Sequence, residues 1–294
     1  MKLSELSAKK PVTFSLEIFP PKRDRPIESV YPTIERLAAL NPDFISVTYG
    51  AGGSGAQQQA TSHLVSHIQQ DCGIPALSHI TCINSDKAAV DSMIALLKEK
   101  GISNVLALRG DRVPDAEPSK DFSHATDLIA YIKEQGDFDI AAACYPEGHP
   151  DSNSVEEDII YVKRKVDAGA SHLITQLFFD NDDFYRMMEL CGKYGINVPV
   201  HAGIMPVINA NQIKRMVSTC GSKIPPRLAK IMARYGDDEK AMYDAGLSYA
   251  IEQIVDLLAS GVHGIHFYAM NNPPVVEAIY GSIKSLIDSA NAKA

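Results

Sequence analysis

Disulfide chemistry has little to work with in this sequence. Its 294 residues include five cysteines, Cys72, Cys82, Cys144, Cys191 and Cys220, an odd number with no C-x-x-C spacing. A disulfide framework and a cysteine-based zinc site are disfavoured on that count. The nine histidines are scattered, none in H-E-x-x-H spacing, and no G-x-S-x-G elbow occurs. Positive charge is also short: 28 Lys and Arg face 36 Asp and Glu, a net charge of -8. A general nucleic-acid binder carries the opposite sign, so an anionic ligand here needs a local cationic cluster. No run reaches the ~18 apolar residues of a membrane span, and the opening "MKLSELSAKKP" lacks a signal-peptide core. Low-complexity segments and Pro/Gly/Ser linkers are missing too. The expectation is a soluble protein of a reducing cytoplasm, with no nucleic-acid or membrane partner, folding as one domain over residues 1–294.

What the chain does have is a beat. Short apolar runs alternate with longer runs of helical period. The strand candidates are "TFSLEIF", "FISVTY", "ALSHIT", "NVLALRG", "IAAACYP", "HLITQLFF", "VPVHAGIM" and "GIHFYAM". The first seven recur about every 30 residues, the size of one βα unit. The last interval is about twice as long and has room for an extra helix, around "PPRLAKIMARYG" and "DDEKAMYDAGLSYAIEQIVDLLASG". Helix signals are specific. In "SVEEDIIYVKRKVDAG", Val155, Ile159, Val162 and Val166 fall on one face, Ser154 with Glu157 reads as a capping box, and Gly169 stops the helix. Val90, Met93, Ile94 and Leu97 do the same before Gly101. Eight such units predict a single (β/α)8 TIM barrel with an extra helix before the last strand.

The stretch "VTYGAGGSGA" tests that expectation, because Gly50, Gly52 and Gly55 fit the dinucleotide fingerprint G-x-G-x-x-G. A Rossmann site places it after the first strand, with an acidic residue ending the next strand. Here it follows the second strand, and Asp71 precedes the third. The glycines read better as a flexible loop at a barrel mouth, where backbone approaches a ligand.

In a barrel, polar groups at the C-terminal strand ends are site candidates. Glu17 lies between Leu16 and Ile18; buried unpaired, its carboxyl should be raised in pKa, which suits a general acid. The competing reading is a structural carboxylate paired with a barrel Lys or Arg. Thr48 and Tyr49 end strand two; His79 and Thr81 lie on strand three. Arg109 and Asp111 flank Gly110 at the end of strand four, as a ligand cradle or a local ion pair. Strand five offers Tyr145 and His149, strand six Gln176, and strand eight Tyr268. Asp158, Tyr161, Arg164 and Lys165 lie off the apolar face of the fifth helix, as a solvated face or a phosphate-binding cluster.

The ordered set "SLEIFPPK", "SVTYGA", "SHITC", "ALRGD", "AAACYPEGHP", "KRKVDAGASHLITQLFFD", "GIMPV" and "HFYAMN" resembles the methylenetetrahydrofolate reductases over nearly the whole chain. The resemblance implies a barrel that binds FAD non-covalently. It implies hydride taken from NADH or NADPH and passed, ping-pong, to 5,10-methylenetetrahydrofolate. The length matches the short bacterial type, and the family suggests a homo-oligomer. By position, Glu17 matches the general acid that opens the imidazolidine ring, and Asp111 the carboxylate between flavin and pterin. Gln176 matches a residue that contacts folate and nicotinamide in turn, and Gln212 a folate contact. Thr48, Tyr49, His79, Arg109, Gly110, Tyr145, His149, Asp158, Arg164 and Lys165 match FAD contacts; Tyr161 stands where some members have Asn. Tyr268 falls with the substrate side. Two positions depart: Met216 where bacterial members can carry Phe, and Asn272 where "HFYTLNR" has Arg. Two other readings stand beside this one, a related FAD barrel with a different acceptor, proline-dehydrogenase-like, and a folate- or flavin-binding protein without turnover.

Overall fold

The computed structural model describes residues 1–22, 24–49, 55–111 and 119–292. Among them run eight strands: β1 Thr13–Ile18, β2 Phe44–Val47, β3 Ala76–Thr81, β4 Asn104–Leu108, β5 Asp139–Cys144, β6 His172–Thr175, β7 Val200–Ile204 and β8 Gly264–Tyr268. Each pairs in parallel with its sequence neighbour, and β8 closes on β1. The expected (β/α)8 barrel is therefore present. Gly50 and Gly52 lie outside the described residues, but the closed parallel sheet removes the Rossmann alternative. Asp71 ends a π-helical turn and accepts from His67 at 2.8 Å.

Helices α2 Tyr31–Ala38, α3 Gly55–Ser66, α4 Lys87–Glu99, α5 Ala125–Glu134, α6 Val155–Asp167 and α7 Asn181–Lys193 cover the strands in turn. Their local signals hold with one adjustment. Ser154 accepts the Glu157 N–H, but the Glu157 carboxylate reaches back to the N–H of Asn153, one residue beyond the expected box. Val90, Met93, Ile94 and Leu97 of α4 are all buried against the barrel. Each contributes about 1.5–3 kcal/mol of burial, before entropy is counted, so truncating one is felt by the whole fold.

The interval before β8 holds α8 Ala210–Cys220, α9 Pro226–Tyr235 and α10 Glu239–Ala259, one helix more than expected; α11 Pro273–Ala292 follows. α8 and α9 build a separate apolar cluster, Ile213, Leu228 and Met232 with Leu177, Met205 and Val207. That cluster forms one wall above the barrel mouth.

The main core lies between sheet and helices. Inside the barrel a smaller apolar layer, Phe44, Leu77, Leu106, Ala141 and Ile174, meets Leu3 and Leu6. Those two leucines belong to α1 Leu3–Ser7, which plugs the N-terminal mouth. Its N–H groups at Leu3 and Ser4 donate to Asn104 Oδ1 (3.1 Å) and Asp139 Oδ2 (2.6 Å). The rest of the interior is polar: Ser15, Ser46, His79, His172, His201 and His266 are all buried.

Candidate active site

The C-terminal strand ends open on one cleft of about 890 Å³. Glu17 lines it from β1, where the register sets it beside Ser46 of β2 and Tyr268 of β8. Two imidazoles face the same oxygen: His79 Nε2 is 3.5 Å and His266 Nε2 3.6 Å from Glu17 Oε2. The Lys or Arg partner of the competing reading is not what the carboxylate meets. Nor is its pKa raised: burial pushes it up, but the facing His266 and His79 imidazoles outweigh burial and hold it below its ordinary value. Sequence reasoning missed this because His266 is 249 residues away and only barrel closure brings it near. His79 itself is driven down to about 4 by burial, so it stands as a neutral ring at neutral pH.

Thr48, just past β2, is fixed through both backbone groups: its N–H donates to Ile18 O (3.0 Å), and its carbonyl accepts from Thr61 Oγ1 (3.2 Å). Tyr49 follows it into the cleft. Gly110 has φ +84, and a Cβ there would come within 2.8 Å of Thr81 Cβ, so only glycine lets the β4 end pass this close to β3. Arg109 does not pair with Asp111. Its guanidinium donates to Asp151 Oδ2 at 2.6 Å and approaches His149 Nε2 at 3.5 Å. Asp111 is exposed and borders the cleft, with its carbonyl accepting from Asn84 Nδ2 at 2.9 Å.

Tyr145 and His149 enter from the end of β5. His149 Nδ1 accepts the Asp151 N–H at 3.0 Å, and burial with Arg109 keeps the ring's pKa low. Asp158, Tyr161 and Lys165 of α6 line the same cleft. Asp158 is not part of a solvated face: it is buried, its Oδ2 has no hydrogen-bond partner among the described residues, and burial raises its pKa. Lys165 donates to Ala143 O at 2.8 Å, and burial lowers its pKa. Arg164 lies outside the cleft lining, exposed, with its guanidinium 5.1 Å from the Tyr161 ring centre.

Gln176 sits one residue past β6, half-buried. Its Oε1 accepts the Leu177 N–H at 2.8 Å, leaving the amide Nε2 without a partner among the described residues. Tyr268 donates to Thr175 O at 2.7 Å and lines the cleft beside Met216 of α8. Gln212 is exposed on α8 and Asn272 is half-buried in the turn after β8; neither lines the cleft. The lining residues that sequence reasoning passed over include Asn84, His124, Met205, Cys220 and Met270. Most lie on loops or on α8, where no periodicity marks them. The pair Met270–Asn271 has positive φ, 49° and 51°, and the "NNPP" that follows is a turn signal that points to it.

Comparison with known proteins gives the family. Residues 2–284 match the family described as methylenetetrahydrofolate reductase. The chain is 35% identical over 277 residues to the 5,10-methylenetetrahydrofolate reductase of Pectobacterium carotovorum subsp. carotovorum, covering 94% of this chain and 91% of that one. It is 35% identical over 268 residues to the enzyme of the same name from Escherichia coli (strain K12), covering 91% and 89%. Among solved structures, an uncharacterized protein from Clostridium thermocellum that binds two copies of 5-methyl-5,6,7,8-tetrahydrofolic acid superimposes with a TM-score of 0.64. That pair shares 13% identity and covers 97% and 98% of the two chains, a likeness of fold. A match that runs from residue 2 to residue 284, through all eight strands, leaves one conclusion: this chain belongs to the methylenetetrahydrofolate reductase family.

Proposed function

We propose that the protein reduces 5,10-methylenetetrahydrofolate to 5-methyltetrahydrofolate with FAD as cofactor and NADH or NADPH as donor. The observation that carries this is convergence: Glu17, Asp111 and Gln176, from the ends of β1, β4 and β6, line one cleft. The residues present fit a flavin dinucleotide. The cleft falls in the ~300–1,000 Å³ range of cofactor sites, and Asp158 Oδ2 and His79 Nε2 are buried polar atoms without hydrogen-bond partners among the described residues. Arg109 and Lys165 supply the cations that a pyrophosphate needs. Thr48, Tyr49, Gly110, Tyr145, His149 and Tyr161 supply the remaining contacts, and Arg164 reaches the rim from outside.

When bound, the flavin supplies a hydride carrier that alternates between nicotinamide and folate. The chain's own groups do the rest. Glu17 gives a proton to the ring nitrogen of the methylene bridge as the five-membered ring opens. Flat ligands filling the cleft exclude water from Glu17, and this raises its proton affinity from the low value of the open site. Asp111 places a negative charge where the iminium cation forms. The Gln176 amide, with Oε1 anchored, offers its N–H groups first to nicotinamide, then to the pterin. Met216 packs against whichever ring is present, with a flexible thioether in place of an aromatic face. Gln212 and Asn272 reach only the folate tail.

Barrel and covering helices act as one catalytic domain over residues 1–294. The partner is a reduced folate, the assembly a homo-oligomer, and the setting the cytoplasm, without nucleic acid or membrane. No described helix is long and apolar enough to cross a membrane. The test is anaerobic stopped-flow of the purified yellow protein. NADH or NADPH should bleach the flavin, and methylenetetrahydrofolate should restore the colour. Bleaching that other acceptors reverse and folate does not would replace the reading with a flavin oxidoreductase of another substrate.

A further inference from the structure

A polar chain inside the barrel connects to Glu17 and has no part in the roles above. Ser15 and Glu17 are two apart on β1, so both face inward. The β1–β8 register sets Ser15 directly beside His266. The His266 ring bridges the two: its Nδ1 is 2.8 Å from Ser15 Oγ, and its Nε2 is 3.6 Å from Glu17 Oε2. Ser46 Oγ approaches Nε2 at 3.5 Å from β2. Phe44 stacks on the ring with centroids 5.8 Å apart, and Tyr268 meets it edge-on at 5.6 Å. With 0% exposure, the ring can neither rotate into solvent nor exchange partners with it.

His79 faces the same Glu17 oxygen, but among the described residues its Nε2 takes no hydrogen bond, and it belongs to the cleft lining. His266 is held from behind, outside the cleft. The titratable groups facing Glu17 are thus His79 of β3, and His266 and Tyr268 of β8. Those acting on His266 are Glu17, His79 and His201 of β7.

We propose that His266, with its tautomer fixed by the Ser15 hydroxyl, is the positioning residue for Glu17. Ser15 Oγ has two acceptors within reach, His266 Nδ1 at 2.8 Å and the Ile265 carbonyl at 3.4 Å; its proton goes to the nearer Nδ1, so the ring proton sits on Nε2 and points at Glu17 Oε2. That oxygen is held to the barrel wall, and Oε1, without a hydrogen-bond partner among the described residues, is left for substrate. The 3.6 Å separation is that of an open site; such contacts tighten when ligand fills it. His266 also determines how readily Glu17 gives up its proton, because an N–H aimed at the carboxylate favours the charged form.

This inference rests on the reductase reading, so the test separates the two. Glu17 is titrated in the holoenzyme by infrared difference spectroscopy, using the protonated-carboxyl band that disappears in E17Q. The pH profile of flavin reoxidation by methylenetetrahydrofolate is measured in parallel. His266→Gln should move the Glu17 midpoint, and the high-pH limb of reoxidation, upward by about one pH unit or more. Bleaching by NADH should keep its wild-type rate. Ser15→Ala should give a smaller shift in the same direction, and it decides alone where the His266 variant does not fold. An unmoved midpoint in soluble, flavin-loaded variants overturns the proposal. Wild-type protein that folate fails to reoxidise overturns the reductase reading instead, and the infrared titration still decides the role of His266.

Discussion

The side-chain amide of Asn271 closes two hydrogen bonds on the backbone of one residue, Phe19. Phe19 N–H donates to Oδ1 at 3.1 Å, and Nδ2 donates to Phe19 O at 2.9 Å. Asn271 follows β8, and Phe19 follows β1, two residues after Glu17. The amide therefore continues the β1–β8 pairing beyond the last sheet bond, Ala269 N to Glu17 O at 3.1 Å. It does so from φ +51, a conformation Asn tolerates better than most side chains.

Asn271→Ala is expected to destabilise the protein by about 1–3 kcal/mol, from two lost hydrogen bonds at a partly exposed site plus left-handed strain. Asn271→Gly removes the bonds without the strain, so it should lose less. Denaturant melts of the two variants give both contributions, and an Ala variant as stable as the native chain would show that the clamp is idle.

Gly203 is the second fixed point near the site. A Cβ there would lie 2.4 Å from Thr175 O and 2.8 Å from the Tyr268 ring. The first neighbour is backbone and cannot move aside. Gly203→Ala should cost about 1–3 kcal/mol and displace Tyr268 from its bond to Thr175 O. Thermal melts report the first effect. The second should appear as slower folate reoxidation with flavin bleaching less affected.

Glu17→Gln keeps the shape of the side chain and removes its proton. Folate-driven reoxidation should fall by at least about 100-fold, the usual scale of general-acid contributions, while bleaching by NADH or NADPH persists. Equal loss in both half-reactions would reassign Glu17 to flavin binding or folding.

Stability should fall as pH drops from about 6.5 toward 4. His79, His172 and His201 are each buried with pKa values pushed down, His79 to about 4. Over that window the unfolded chain binds protons that these rings refuse, so the folded state loses about 1.4 kcal/mol per pH unit for each such histidine. Above the unfolded value near 6.5 both states are neutral there and the term vanishes. Asp139, lowered chiefly by its bond from Ser171 against the opposing effect of burial, keeps its contribution above about 4 and loses it only below. Urea unfolding at several pH values should show this slope, and His201→Gln should flatten it.

Much of the fold was legible in the residues themselves. Alternating runs and helix stops placed β3 at its observed bounds and α4 with its four buried side chains. These signals are local: period, capping and a glycine with positive φ act within one turn of chain. The same holds for Glu17, Arg109 and Gln176, which sit at strand ends that the pattern already marks. Of the helices before β8, α9 and α10 fall on the segments the pattern marked, and α8 was the one it did not, because its apolar face packs on loops instead of on the sheet.

The sequence by itself determined the barrel, its eightfold order and which strand ends carry polar groups, since each depends on short-range pattern. Tertiary structure alone decided how those groups are charged and paired. Closure of β8 on β1 sets Ser15 beside His266 and two imidazoles on Glu17, turning an expected rise in its pKa into a fall. It set Arg109 on Asp151 instead of Asp111, and buried Asp158 where helical period showed a polar face. Electrostatic environment depends on neighbours across the barrel, and those are fixed only when the ring of strands is complete.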